Sequence, residues 1–378
     1  MVRYYIKIIL KIILHFFHIF KIEKNQIFLL NELSFTYGDN LKYINEYIQQ
    51  YRKKEYKIIF PLYTEEILLD CISVKPYTYK YFKYLLTSKI IITNCGGISY
   101  LPLRNKQICI NTWHGGGPYK KTGNSAYNDK WYKKELILNK KNTRYMVSSC
   151  ELCTNLEAKS MLFNKKDCIL SGNPRIDVFF MKTNYIKEKV LNFYNIERTN
   201  KLVLFAPTYR TNSSKFKFDL SDNFNNLDYH LVLNTLQRKF GGTWQFAVRF
   251  HPKVKNTQIL DSSIINCTAY PDMQELLYAA DVVITDYSSL MWDFSFTKRP
   301  CFLFADDIDD YEKNRGFYLQ SKYWPFPIAK NNIEIQNNIL NFDHEIYIDK
   351  IDQHHSFCGS YEKGTACKQI LELIEKEL

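Results

Sequence analysis

The 378 residues exceed a single small module and, at ~100–200 residues per domain, predict two domains. With 46% hydrophobic and 24% charged residues, and only 13 Gly and 11 Pro, the composition is globular and excludes a disordered tail or a fibre. The balance of 51 Lys+Arg over 39 Asp+Glu, formally +12, favours a polyanionic partner without choosing among nucleic acid, an acidic membrane surface and a phosphate-rich substrate.

Residues 1–22 open with MVRYYIKIILKIILHFFHIF, in which Lys7, Lys11, His15 and His18 recur at helical spacing and Ile8, Ile9, Ile12, Ile13, Phe16 and Phe17 fill the remaining surface. The pattern predicts an amphipathic helix. Lys11 and Lys21 leave too short an uncharged run for a bilayer span, and Lys11 interrupts the apolar core a signal peptide needs. The helix is expected to lie on an anionic membrane surface, Lys heads near phosphates; packing on the protein's own core is the alternative.

Short apolar runs then alternate with amphipathic segments. Strands are expected at 26–30, 57–60, 90–93, 107–112, 145–148 and 168–171, with helices at 40–51, 77–87 and 155–163. A charged stretch over 185–201 breaks the series, which restarts with strands at 202–206, 245–250, 282–285 and 301–304 and helices at 229–239, 273–279 and 288–296. Strand–helix alternation predicts parallel sheets covered by helices. The expected fold is therefore α/β and GT-B-like: two Rossmann-like lobes, residues 23–195 and 196–378, facing a central cleft, with the amphipathic helix preceding them. The carboxyl-terminal segment 365–378 has helical spacing and is expected to pack back on one lobe.

Ten cysteines between Cys71 and Cys367 show no disulfide framework, which favours a reducing compartment. Cys150 and Cys153 lack a second half with zinc-like spacing. His354, His355, Cys358 and Cys367 can be drawn as a metal cluster, but ordinary core and surface usage is the preferred reading, so no metal is expected.

Four strand ends carry groups suited to chemistry. The strand ending near Thr112 runs into Trp113-His114-Gly115-Gly116-Gly117-Pro118-Tyr119-Lys120-Lys121, an imidazole beside backbone that can approach a ligand closely; the alternative is a glycine-rich turn with a structural histidine. It is not a Walker loop. In the second half, Asp281–Thr285 leads through Asp286 and Tyr287 to Ser288 and Ser289, where hydroxyls and a helix start suit a phosphate, and Asp293 follows one turn later. Simple capping is the alternative for either serine, and a solvated helix acid for Asp293. Strand alternation sends Arg249 and His251 to one side. The turns Gly172-Asn173-Pro174-Arg175-Ile176-Asp177 and Ala206-Pro207-Thr208-Tyr209-Arg210 each add an arginine, whose planar fork favours phosphate oxygens. Together these predict a nucleotide-diphosphate site.

The run WHGGGPYKK, then GNPRIDV, APTYR, RFHP and the stretch MQELLYAADVVITDYSSLMWDFSFTKRPCFLF with NRGFY after it, resembles the CDP-glycerol glycerophosphotransferase family of teichoic acid and capsule synthesis, over residues 28–378. The resemblance implies a two-lobed transferase at the cytoplasmic face of the cell membrane. It would move glycerol phosphate from CDP-glycerol to a lipid-linked glycan or polyol-phosphate acceptor and release CMP. By position, His114 would be the catalytic base. Arg175, Arg249, His251, Ser288 and Ser289 would hold the pyrophosphate, and Gly115, Gly116, Gly117, Thr208 and Asp293 would contact donor groups. Where the family carries Gly-Thr-Pro-Leu after the histidine, this chain has Gly-Gly-Gly-Pro-Tyr.

No compact acidic cluster for Mg²⁺ is evident, so neither metal nor cofactor is expected. Two enzyme alternatives stand beside this reading, a ribitol-phosphate transferase and a sugar-nucleotide glycosyltransferase or epimerase of the same fold. A nucleic-acid-binding protein is the alternative from another class; no RNP, helix-turn-helix or zinc-knuckle pattern supports it, and no nucleic-acid partner is expected.

Overall fold

The structure is a computed structural model that describes residues 2–63, 70–208, 226–251, 254, 259 and 261–378. It divides the chain into two compact units, Met1–Phe180 with Cys358–Leu378, and Met181–Phe357.

In the first unit the strands are β1 (Glu23–Leu30), β2 (Lys57–Pro61), β3 (Ile72–Val74), β4 (Ser88–Thr93), β5 (Ile108–Asn111), β6 (Tyr145–Val147) and β7 (Cys168–Ile169). They form one parallel sheet in the order β3-β2-β1-β4-β5-β6-β7. The two-residue period of a strand sends Ile27, Leu29, Ile58, Phe60, Ile90 and Ile92 into one core and Phe28, Leu30, Ile59 and Ile91 into the other. Burial on both faces is why these strands read as continuous apolar runs. Strand order reverses between β1 and β4, where a doubly wound sheet leaves a crevice at its carboxyl edge.

The second unit repeats the plan with β8 (Lys201–Phe205), β9 (Trp244–Val248), β10 (Ile264–Asn266), β11 (Val282–Thr285), β12 (Cys301–Phe304) and β13 (Ile328–Ala329). Its parallel sheet runs β10-β9-β8-β11-β12-β13 and reverses between β8 and β11. The chain is thus α/β with two Rossmann-like lobes. Sequence reading missed β3, β10 and β13, which are two or three residues long, lie at or near sheet edges and carry little apolar pattern.

Two expectations need correction. The lobe boundary falls after Phe180, not near residue 196, and Cys358–Leu378 belongs to the first unit, not the second. The reason is a set of long-range contacts. Asp177 accepts hydrogen bonds from the amides of Ala366 and Cys367 at 3.0 and 2.8 Å, which satisfies the start of the helix Ala366–Glu377. Ile370, Leu371 and Ile374 of that helix then enter the core beside β1 and β2.

The amino-terminal helix Val2–Leu14 continues into a tight turn, His15–Ile19, and its orientation differs from the expectation. The basic stripe faces the protein in large part. Lys7 pairs with Glu135 at 2.6 Å, Lys11 is half-buried, and the His18 ring meets the Pro102 carbonyl at 2.7 Å. Leu14 and Phe17 are buried in the first unit's core. Ile6, Ile9, Ile12, Ile13, Phe16 and Ile19 point outward, each 58–68% exposed.

Candidate functional site

His114 stands three residues beyond the end of β5 and is half-buried. Its Nδ1 lies 2.8 Å from the Asn94 carbonyl, at the end of β4. A carbonyl only accepts, so Nδ1 carries the proton and the neutral ring keeps its lone pair on Nε2. Burial lowers the imidazole pKa below its ordinary value; Arg175 and Lys120 push the same way, while the Asn94 carbonyl and Asp39 oppose. The ring is therefore neutral, and able to accept a proton, at cellular pH.

The neighbouring Trp113 adopts φ 57°, a left-handed backbone that is strained for a bulky residue. Several bonds hold it there. Its N–H donates to Asn111 Oδ1 at 2.8 Å, its carbonyl accepts from Asn40 Nδ2 at 2.9 Å, and its indole N–H donates to Glu157 at 3.1 Å. The indole packs on the imidazole with ring centroids 4.2 Å apart. Glu157 lies on a widened, π-type helical stretch, Cys153–Ala158, of the kind that recurs at functional sites. Burial pushes its carboxyl up to about 8, against hydrogen bonds from Trp113 and Thr122.

The glycines after His114 divide. Gly115 is half-buried, its Cβ position 3.2 Å from the Trp113 indole nitrogen, while Gly116 and Gly117 are buried; Gly117 turns at φ 69° and donates to Ser149 Oγ at 3.3 Å. Close approach of backbone to a ligand is thus open to Gly115 more than to its two successors. Arg175 differs from expectation more sharply. Its side chain is 6% exposed, and Nη1 donates to Asp39 Oδ1 at 2.7 Å and to the His114 carbonyl at 2.8 Å. The rest of its turn anchors the carboxyl-terminal segment: Asn173 binds Glu362 through its amide and side chain, and Asp177 caps the last helix.

In the second unit the carboxyl ends of β8 and β11 are joined by Asp286, which accepts from the amide and hydroxyl of Thr208 and, at 3.1 Å, from the Ser288 amide. Ser288 and Ser289 are half-buried; Ser289 makes no capping bond, contrary to the capping alternative, whereas Ser288 Oγ accepts from the Leu290 amide at 3.5 Å. The helix that follows spans only Leu290–Ser295, shorter than the 288–296 expected, so little macrodipole stands behind the serines. Asp293 is 2% exposed and accepts from Gln274 Nε2 at 2.7 Å, which removes the solvated-acid alternative.

Because β9 ends at Val248, strand alternation does not reach Arg249 and His251; Arg249 is half-buried and His251 exposed. Burial lowers the Arg249 guanidinium pKa, and Asp272 is the strongest charge opposing this. Its Nη1 is buried and has no hydrogen-bond partner among the described residues. Tyr209, Arg210 and Pro252 lie outside the described residues. His355, half-buried, stacks on Phe296 with centroids 4.2 Å apart and bonds Ser295, which accounts for it as a packing residue. Sequence reading missed Asp39, Asn94 and Glu157 altogether; Asp286 stood inside a quoted motif without being singled out.

Residues 12–376 match the family model described as CDP-glycerol:poly(glycerophosphate) glycerophosphotransferase. The chain belongs to this family. It is 27% identical over 367 residues to a teichoic acid poly(glycerol phosphate) polymerase of Staphylococcus epidermidis, covering 91% of this chain and 49% of that one, so it spans about half the length of that relative. A teichoic acid glycerol-phosphate transferase of Staphylococcus aureus is 26% identical over 381 residues, covering 94% of each. Among solved structures, the wall teichoic acid polymerase TagF superposes with a TM-score of 0.82 at 26% identity, covering 94% of this chain and 90% of that one. A protein assigned as a UDP-N-acetylglucosamine 2-epimerase from Listeria monocytogenes shares the fold alone, with a TM-score of 0.56 at 11% identity.

Proposed function

We propose that the protein transfers glycerol phosphate from CDP-glycerol to a hydroxyl of a membrane lipid-linked acceptor, in teichoic acid or capsule-type polymer synthesis. His114 Nε2 takes the proton of the acceptor hydroxyl. The oxygen attacks the phosphorus that bears glycerol, the bond from that phosphorus to the bridging oxygen breaks, and CMP leaves with the bridging oxygen. Family membership supports the donor class. The observation that carries the mechanism is the imidazole whose Nδ1 is taken by the Asn94 carbonyl, because that leaves Nε2 as a base at a strand end.

Phosphoryl transfer needs positioning and charge neutralisation more than covalent chemistry. The buried Nη1 of Arg249 without a partner among the described residues and the hydroxyls of Ser288 and Ser289 supply groups for the donor's pyrophosphate. His251, Thr208, Gly115 and Asp293 are further donor contacts in this reading. The test is CMP release from CDP-glycerol beside CDP-ribitol and UDP-sugars. We expect CMP from CDP-glycerol and its loss in His114→Ala with folding intact. Release of UDP from a UDP-sugar instead would favour the glycosyltransferase or epimerase reading, and activity within a few-fold of wild type in His114→Ala would remove the base.

The amino-terminal helix supports peripheral membrane association through its apolar face, not its lysines. Ile6, Ile9, Ile13 and Phe16 present an exposed stripe suited to the acyl boundary of a bilayer. Deleting residues 1–20 would also strip Leu14 and Phe17 from the core, so substitution is the cleaner test. Replacing Ile6, Ile9, Ile13 and Phe16 together by Ser is expected to abolish sedimentation with anionic vesicles while the protein stays folded. Unchanged sedimentation would refute the docking.

A further inference from the structure

The polar groups beneath His114 form a closed circuit. The imidazole Nδ1–H donates to the Asn94 carbonyl at 2.8 Å, and the Asn94 side-chain amide donates to Asp39 Oδ2 at 2.6 Å. Asp39 Oδ1 accepts from Arg175 Nη1 at 2.7 Å, and the same Nη1 donates to the His114 carbonyl at 2.8 Å. Both the ring and the main chain of His114 are thereby tied to one carboxylate. A second tie runs alongside: the Arg175 amide donates to Asn40 Oδ1 at 3.1 Å, and Asn40 Nδ2 donates to the Trp113 carbonyl at 2.9 Å.

Two features make the circuit more than incidental packing. Asp39 reaches it from φ 56°, a left-handed backbone that Asp tolerates better than most residues with a side chain. The Asp39–Arg175 pair is also withdrawn from solvent, with side chains 17% and 6% exposed. A buried ion pair contributes little net stability compared with an apolar pair of the same volume, so stability alone does not account for it; fixing one geometry does.

We infer that Asp39 and Arg175 are positioning residues for His114, holding it and Asn94 in the placement in which the Asn94 carbonyl leaves Nε2 as the base, and that Arg175 acts through this pair and not on the donor phosphates. The inference rests on the reading of His114 as the base. The charged groups that bear on the imidazole are Asp39, which favours its protonation, and Arg175 and Lys120, which oppose it. Removing Asp39 or Arg175 therefore shifts the base in opposite directions, which loss of a purely structural contact would not do.

The experiment measures CMP release from CDP-glycerol, with a synthetic lipid-linked disaccharide as acceptor, for Asp39→Asn and Arg175→Gln in the full chain. Each variant is expected to lose kcat by ~10²-fold, the scale of a misplaced catalytic group, with donor KM within about twofold of wild type. The acid limb of the pH–rate profile should move to lower pH in Asp39→Asn and to higher pH in Arg175→Gln. The double variant Asp39→Asn with Arg175→Met leaves no unpaired charge, and it carries the test if either single variant fails to fold; its kcat should fall ~10²-fold below wild type with donor KM within about twofold, and a kcat within threefold of wild type overturns the inference. If Asp39→Asn keeps kcat within threefold of wild type, or Arg175→Gln raises donor KM with kcat unchanged, the inference is overturned. Should His114→Ala itself retain CMP release, it is the base that fails; an inactive His114→Ala beside an unaffected Asp39→Asn defeats the positioning role alone.

Discussion

The strand-end clusters of the two units are built to opposite specifications. Around His114, Asn94 Oδ1 is buried without a partner among the described residues, but the charged and donor groups are engaged: the Asn94 amide, Asp39, Asn40, Arg175 and Glu157 spend their hydrogen bonds on one another and on Trp113 and His114. At the ends of β9 and β11, by contrast, a buried guanidinium nitrogen has no partner among the described residues and Ser289 makes no cap. A group that must react is held rigidly by its neighbours, whereas groups that must receive an anion keep donors in reserve. In the function proposed, the same α/β plan, with its crevice where strand order reverses, serves a preorganised base in one unit and an anion receptor in the other.

The comparison breaks most visibly at Arg249. Arg249→Ala should raise donor KM by ~10–100-fold, the ~1.5–3 kcal/mol of a charge-assisted hydrogen bond, while leaving stability nearly unchanged because its buried Nη1 has no hydrogen-bond partner among the described residues. A collapse in thermal stability with donor KM unmoved would make Arg249 structural. Ser288→Ala combined with Ser289→Ala sharpens the same point: a several-fold rise in donor KM is expected, about 1 kcal/mol, and unchanged donor kinetics would take the serines out of the site.

Away from the His114 circuit, the expected losses in the first unit appear in stability. Asp177→Ala leaves the amides of Ala366 and Cys367 without their acceptor, and a missing helix cap costs ~1 kcal/mol, seen as a fall in Tm of several degrees. No change in Tm would show that the last helix is held by its apolar face alone. Glu157 gives an effect that depends on pH. Its carboxyl, raised to about 8 from 4.5, favours folding fully below pH 4.5, and that contribution is lost as pH rises through 8. Glu157→Gln should therefore unfold at a higher temperature than wild type at pH 8 and show less difference at pH 5; the reverse order would place the charged form in the folded protein.

How far the sequence could be read depended on the range of the interaction. Strands such as Val282–Thr285 and Cys301–Phe304 were legible because local apolar runs encode them, and His114 because a histidine before three glycines at a strand end is a local pattern. The carboxyl-terminal helix was legible as a helix but not in its placement, which depends on Asp177 nearly two hundred residues earlier. The periodicity of residues 1–20 separated the basic stripe from the apolar one, yet which stripe faces the protein is decided by Glu135 on a distant helix. Arg175 has the composition of a phosphate ligand in a turn, and only its burial against Asp39 shows the side chain already engaged. Asp39 carried no signal, because its backbone conformation is invisible in composition.

The division of labour proposed between a fixed base and an open anion receptor is tested most directly by single-turnover kinetics. Donor affinity and the rate of CMP release at saturating CDP-glycerol would be measured side by side for His114→Ala and Arg249→Ala. His114→Ala is expected to lose ~10²–10⁴-fold in rate with donor affinity retained, and Arg249→Ala to lose affinity with most of the rate at saturation retained. Loss of donor affinity in His114→Ala, with its rate at saturation intact, would contradict that division.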